Sequence, residues 1–219
     1  MPKVGVLLSG CGFLDGAEIH ESVLTLLALD QRQAQIICCA PNIAQAAVVD
    51  HQTRQPTGET RNVLKEAARI ARCEIQDVAQ VKADELDALI IPGGFGAMIN
   101  LSTLGTEGPE DRVDPGVEKL VGDMLALKKP IGAICIAPAL LAHIAGRRRI
   151  KAKVTIGNDS SVARKIAEKG CIHEDCTVDE ISVDETNKLV TTPAYMLGSG
   201  PAAIWEGIRK LVDRVLRMI

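Results

Sequence analysis

Short apolar runs bounded by Gly or Pro, at residues 4–8, 34–39, 87–91, 130–134 and 154–156, constrain this chain more tightly than any other feature. Runs of that length without polar alternation read as parallel strands buried on both faces. Helical patterns separate them, at residues 19–29, 61–71, 117–127, 136–144 and 160–169. Strand and helix in alternation imply right-handed crossovers and an α/β three-layer sandwich around a doubly wound, mostly parallel sheet.

Two stretches break the alternation. Residues 96–115 read as a loop insertion, because Gly105, Gly108 and Pro109 oppose a long helix there. Loops of this length are uncommon and often functional, which makes the insertion a candidate lid or dimer arm. Residues 179–192 alternate and turn near Asn187, which predicts a hairpin at a sheet edge. Residues 200–219 place Ile204, Ile208, Leu211, Val215 and Leu216 on one helical stripe, expected to pack on the sheet. With neither repeat nor linker, residues 1–219 are expected to form one domain.

Composition removes several classes of partner. The 25 basic and 28 acidic residues leave a net charge of −3, so no overall field gathers the protein on nucleic acid or on an anionic membrane. Four aromatics (Phe13, Phe95, Tyr195 and Trp205) are too few for base-stacking platforms. No uncharged apolar run approaches the roughly 18 residues of a membrane helix. The 7 cysteines lack the spacing of a disulfide scaffold and suggest a reducing compartment. Residues 1–9 carry neither a secretory nor an organellar leader pattern, so a soluble, cytoplasmic protein is expected. Small molecules or a second copy of the chain are its expected partners.

Three stretches carry chemistry. In Lys129-Pro-Ile-Gly-Ala-Ile-Cys135-Ile-Ala-Pro-Ala-Leu an apolar strand runs into a cysteine and a helix follows at once. Ala133 and Ala137 flank Cys135 at two positions on either side, where a nucleophile elbow requires small residues. The amino end of the following helix favours thiolate over thiol, although a buried inert cysteine has the same spacing. In Ile90-Ile-Pro-Gly93-Gly94-Phe-Gly96, glycines end a strand at the sheet edge where ligands bind. Their N–H groups are candidate oxyanion donors, and a plain glycine turn is the alternative.

The third stretch, Ser9-Gly-Cys-Gly-Phe-Leu-Asp-Gly-Ala-Glu18-Ile-His20-Glu21, follows the first strand. Its glycines match neither the dinucleotide fingerprint nor the P-loop, so no nucleotide cofactor is expected. Glu18 and Glu21 lie one turn apart on one helix face, and spacing does not choose between them. His20 points elsewhere on that helix. Cys171-Ile-His173-Glu-Asp-Cys176 lacks a second ligand pair and reads as a peripheral strand, so no metal is expected. The basic run 147–153 reads as a solvated connection before a strand.

Taken in order, these stretches resemble the ThiJ/PfpI superfamily of class I glutamine amidotransferase-like domains, nearest its ElbB-type branch. The residues that carry the resemblance are Leu8-Ser-Gly-Cys-Gly12, Asp15-Gly-Ala-Glu-Ile-His-Glu21, Pro41, Glu59-Thr-Arg-Asn62, Asp87-Ala-Leu-Ile-Ile-Pro-Gly-Gly-Phe-Gly96, Cys135-Ile-Ala-Pro138 and Val190-Thr-Thr-Pro-Ala-Tyr-Met196. They span nearly the whole chain. The resemblance implies a flavodoxin-like sandwich, a homodimer, a reactive elbow cysteine at Cys135, an acid at Glu21 that hydrogen-bonds the thiolate, and backbone donors at Gly93 and Gly94. Relatives often carry a His directly after the cysteine, and true glutaminases carry a later His-x-Glu; here position 136 is Ile. Asn158 and Asp159, after the strand at 154–156, are candidate third members of the site.

The family implies a cofactor-independent glyoxalase or deglycase that converts the small aldehydes glyoxal and methylglyoxal to 2-hydroxy acids. The competing reading is a non-enzymatic redox-sensing or interaction protein using the same thiol, which the missing histidine favours. Glutamine amide transfer ranks third, for want of the His-x-Glu partner.

Overall fold

The computed structural model describes residues 1–106, 111–198 and 200–219. Its strands are β1 (Lys3–Leu7), β2 (Gln35–Ala40), β3 (Val49–Asp50), β4 (Gln55–Pro56), β5 (Ile75–Asp77), β6 (Ala88–Ile91), β7 (Ile131–Ile134), β8 (Lys153–Val154), β9 (Ile172–His173), β10 (Ser182–Asp184) and β11 (Leu189–Thr192). Its helices are α1 (Ile19–Gln31), α2 (Val63–Ile70), α3 (Gly96–Ile99), α4 (Pro115–Ala126), α5 (Ala137–Arg147), α6 (Ser160–Glu168) and α7 (Pro201–Arg217).

Seven strands form one sheet in the order β10-β11-β7-β6-β1-β2-β5, and only β10 runs antiparallel to its neighbour. The apolar runs become its centre because both faces are covered. On β6, Leu89 and Ile91 join the core under α4 and α5, while Ala88 and Ile90 join the core under α1, α2 and α7. Every residue of β6, β7 and β11 is buried. The fold is thus the expected three-layer, mostly parallel α/β sandwich, with the 182–192 hairpin on one edge and α7 packed back on the sheet.

Four details differ from expectation. The run at 154–156 supplies no strand to the main sheet. Strand β11 already occupies the edge beside β7, and β8 instead pairs with β9 in a separate parallel ladder. The amides of Lys153 and Thr155 donate to the side chains of Asp184 and Thr191. The opposite edge is taken by β5, whose Ile75-Gln-Asp carries no buried-strand pattern because an edge strand is half solvated. An exposed two-residue ladder, β3 with β4, was not legible either. Within the 96–115 insertion, the first residues form α3, and Thr103 and Asp114 close its base through their amides to Arg112 and Leu101 carbonyls. Gly108 and Pro109 lie outside the described residues.

The chain passes from β1 outward to β2 and β5, then returns to β6 on the other side of β1. At such a switch point the loops leaving two adjacent strands diverge and open a crevice. Here the loops are joined by backbone bonds: Glu18 N–H to Gly93 O at 2.9 Å, Phe95 N–H to Phe13 O at 2.7 Å and Gly96 N–H to Gly16 O at 2.9 Å. So close an approach explains the glycines on both sides. Gly94 also takes φ +93°, a conformation that side chains oppose. Buried Asn100 clamps the first loop from beneath, donating to the Ser9 carbonyl at 2.9 Å and the Asp15 carbonyl at 2.8 Å and accepting from Ala46 N–H at 2.9 Å.

Asn100→Ala leaves two carbonyls and one N–H without that partner in a buried place, and is expected to cost about 2–4 kcal/mol in urea unfolding. An unchanged unfolding midpoint would show that the backbone bonds alone hold the loop.

Candidate functional site

Cys135 follows the last residue of β7, and its N–H continues the parallel ladder to Thr192 O at 2.9 Å. At Cys135 itself φ is +62°, whereas Ile136 is already in the right-handed helical region at −89°. The whole turn from strand to helix is thus made in one residue, at a cost of roughly 1–2 kcal/mol for a residue with a Cβ. Gly93 makes the turn possible from the neighbouring strand, since a Cβ there would overlap Cys135 Cβ and lie 2.6 Å from Glu21 Oε2.

Of the two acids that spacing left open, the fold brings Glu21 to the cysteine. Its side chain is completely buried in the first turn of α1. Oε2 accepts from Gly93 N–H at 2.9 Å and Oε1 from Tyr195 N–H at 3.2 Å, and the carboxyl hydrogen-bonds Cys135. Glu18 is half-buried and caps the helix instead, accepting Glu21 N–H at 2.7 Å. Its side chain thereby answers one of the amides a helix start leaves open.

The glycines divide their work unevenly. Gly93 N–H is engaged by Glu21, so it does not face the sulfur as expected of an oxyanion donor. Gly94 N–H does face Cys135 Sγ, and the second amide there belongs to Ile136. Ile136 was missed, although the position after an elbow nucleophile is a general place for such a donor. Tyr195 and Thr192 were missed as well. Nothing in their spacing points to Cys135, because only the pairing of β11 with β7 puts them beside it.

Other residues stand apart. His20 is exposed, with Nδ1 2.7 Å from the Tyr195 hydroxyl at the rim. Asn158 is exposed in the turn after β8, and Asp159 caps α6 by accepting from Ser161 and Val162 amides. The stretch from Cys171 to Cys176 is spread along β9: Cys171 Sγ donates to Ala142 O at 3.4 Å, while His173 Nε2 accepts from Ile156 N–H at 3.3 Å. Among the described residues no group of three or more His, Cys, Asp or Glu could hold a metal ion.

Burial controls the electrostatics. It raises Glu21 to about 8, with the Glu18 charge adding to the effect and the Tyr195 and Gly93 amides opposing it. Burial likewise pushes the Cys135 thiol well above its ordinary value, and the neighbouring Glu21 charge pushes in the same direction. The amides of Gly94 and Ile136 favour thiolate but do not prevail. The expectation of a thiol acidified by the helix end is therefore reversed: at neutral pH the resting pair is carboxylic acid and thiol. Cys135 is buried, with 8 % of the residue exposed.

Residues 15–193 match the model of the DJ-1/PfpI family. The human glutamine amidotransferase-like class 1 domain-containing protein 3, mitochondrial, is 40% identical over 99% of this chain and 83% of its own length. The rat ES1 protein homolog, mitochondrial, is 40% identical over 99% of this chain and 84% of its own. A crystal structure of an isoprenoid biosynthesis protein with amidotransferase-like domain from Ehrlichia chaffeensis superposes with a TM-score of 0.93 at 37% identity, covering 99% of this chain and 100% of that one. The expected cytoplasmic location is overturned by these relatives, which are named mitochondrial. All seven cysteines are free, and the cysteine spacing from which that location was inferred does not specify a compartment. With its family model, its relatives and its fold in agreement, the chain belongs to the DJ-1/PfpI family, in the company of amidotransferase-like and isoprenoid-biosynthesis proteins.

Proposed function

We propose that this chain is a cysteine-dependent, cofactor-independent enzyme of the glyoxalase or deglycase kind, converting glyoxal or methylglyoxal to the 2-hydroxy acid. The buried contact between Cys135 and Glu21 at the switch point carries this reading, because it joins a nucleophile to a proton carrier. With Glu21 at about 8 and the thiol higher, loss of one proton from the pair creates the reactive state. Thiol–carboxylate and thiolate–carboxylic acid are then two placements of the remaining proton.

In the thiolate form, Sγ bonds to the aldehyde carbon, the carbonyl π bond opens, and its oxygen takes the Glu21 proton, giving a hemithioacetal. The amides of Gly94 and Ile136 stabilise the oxygen as its charge develops. Glu21, now ionised, removes the hydrogen of the former aldehyde carbon as a proton and returns it to the adjacent carbon, while the hydroxyl proton passes to that carbon's oxygen. The first carbon is oxidised to a thioester and the second reduced to an alcohol, so no external oxidant enters. Water then cleaves the C–S bond, releasing the 2-hydroxy acid and restoring the thiol.

The redox-sensing alternative fits less well. Such thiols are of low pKa, whereas burial raises that of Cys135. A homodimer belongs to the proposal. Ile19, Val23 and Leu27 form an exposed apolar stripe at four-residue spacing along α1, a face that a second copy would cover. If a Val23→Glu chain sediments as the same species as the wild type, that stripe is not the interface.

Formation of glycolate from glyoxal, or of lactate from methylglyoxal, is expected to fall to the uncatalysed rate in Cys135→Ala. In Glu21→Gln the loss is on the order of 10²–10⁴. Wild-type kcat/KM is expected to rise with pH and level off above about 8, as Glu21 ionises in the free enzyme. Equal rates for wild type and Cys135→Ala would end this reading.

Stability provides an independent measure of the same proton. Because Glu21 is raised from an ordinary 4.5 to about 8, the native state keeps a proton through that window which the unfolded chain has released. Stability therefore falls as pH rises from 4.5 to about 8, and flattens above it. Glu21→Gln removes this loss, so its stability relative to wild type is expected to increase by a few kcal/mol between about pH 5 and about pH 8.5 in urea unfolding. A difference independent of pH would mean that Glu21 ionises normally.

A further inference from the structure

A cavity of about 220 Å³ lies between α3, α5 and α6, and Cys135 is not among the residues that line it. Met98, Leu104 and Ile136 form much of its apolar wall, and His143, Lys165, Lys169 and Asp111 form its polar end. His143 is the informative member. It is 4 % exposed, and among the described residues neither ring nitrogen has a hydrogen-bond partner. Its Nδ1 lies 4.0 Å from Asp111 Oδ2, beyond hydrogen-bond length. A buried imidazole in that condition has lost its hydration without replacement. Burial lowers its pKa, with Lys169 bearing on it next and more strongly than Asp111 does, so the ring is neutral. Asp111 is itself matched by Lys169 at 2.8 Å, and Lys165 stands one turn away on α6. Glu168, which also lines the cavity, is exposed at its rim.

We propose that this cavity binds a small organic acid, its carboxylate received by His143 and the lysines Lys165 and Lys169, its short hydrocarbon body resting on Met98, Leu104 and Ile136. A cavity of about 150 Å³ is enough for a single small ring compound, so the volume suits a molecule of similar size. Charge-assisted bonds from the lysines and an N–H from a neutral imidazole supply what a carboxylate accepts. The apolar wall excludes inorganic anions as the best occupant. Ile136 borders both this cavity and the Cys135 site, but binding here requires no chemistry at Cys135.

Sodium butyrate is a suitable probe, followed through the ring C–H resonances of the 4 histidines. Butyrate is expected to move the His143 signals saturably, with a dissociation constant on the order of millimolar. The double variant Lys165→Gln, Lys169→Gln removes the Lys169–Asp111 pair but no core residue, and is expected to fold and to bind about tenfold or more weakly. Absence of a saturable His143 shift would overturn the proposal and leave water as the occupant. Equal shifts with butyramide, butylamine or sodium chloride would overturn the assignment to an organic acid, as would unchanged affinity in the double variant.

Discussion

A carboxyl group buried completely against a cysteine is the interaction on which the rest of this molecule depends. Ionised, Glu21 would be an unhydrated charge in an apolar sandwich, a state that is tolerated only with dedicated hydrogen bonds. Two amides provide them, from Gly93 and Tyr195, which lie 72 and 174 positions away along the chain. Holding those amides in place requires the loop after β6 and the segment after β11 to meet the start of α1. The sheet order achieves this, since β1, β6, β7 and β11 lie side by side. Even so, the two amides do not outweigh burial, and Glu21 keeps its proton to about 8.

The same constraint accounts for the glycines around the switch point. Loop backbones that bond to each other directly leave no room for side chains at the points of contact. A Cβ on Gly96 would lie 2.6 Å from Gly16 Cα, and one on Gly93 would fall into the thiol–carboxyl pair. Strain at Cys135 belongs to this arrangement: its left-handed φ is kept by the ladder bond to Thr192 on one side and by α5, which begins two residues later, on the other. Cysteine, carboxyl and amides are therefore features of one packed corner, and displacing any one of them disturbs the others.

Much of this was legible in the sequence, for identifiable reasons. The central strands were visible because both faces are buried and the apolar run is continuous; β5 was not, because half of it faces solvent. The run at 154–156 carried the same apolar signal but lost its place in the sheet to β11, since hydrophobicity records burial and is silent about which neighbour does the burying. Cys135 stood out through the small residues beside it. Glu18 and Glu21 could not be separated by spacing, and only the resemblance to a known family pointed to Glu21. The acidity of the thiol was misjudged from the helix end alone. Desolvation is a property of everything packed around the sulfur and has no local sequence signature.

By itself, then, the sequence determined the buried parallel strands, the one-residue turn at which a cysteine stands, and the glycines that let two loops approach. These are local matters of period, size and backbone freedom. Only the tertiary structure decided that Glu21 touches the sulfur while Glu18 caps the helix, that Gly93 N–H serves the acid while Gly94 and Ile136 face the thiol, and that the resting pair is neutral. Each of those outcomes depends on distances between segments remote in the chain and on water excluded by all of them together, which no single stretch of residues encodes.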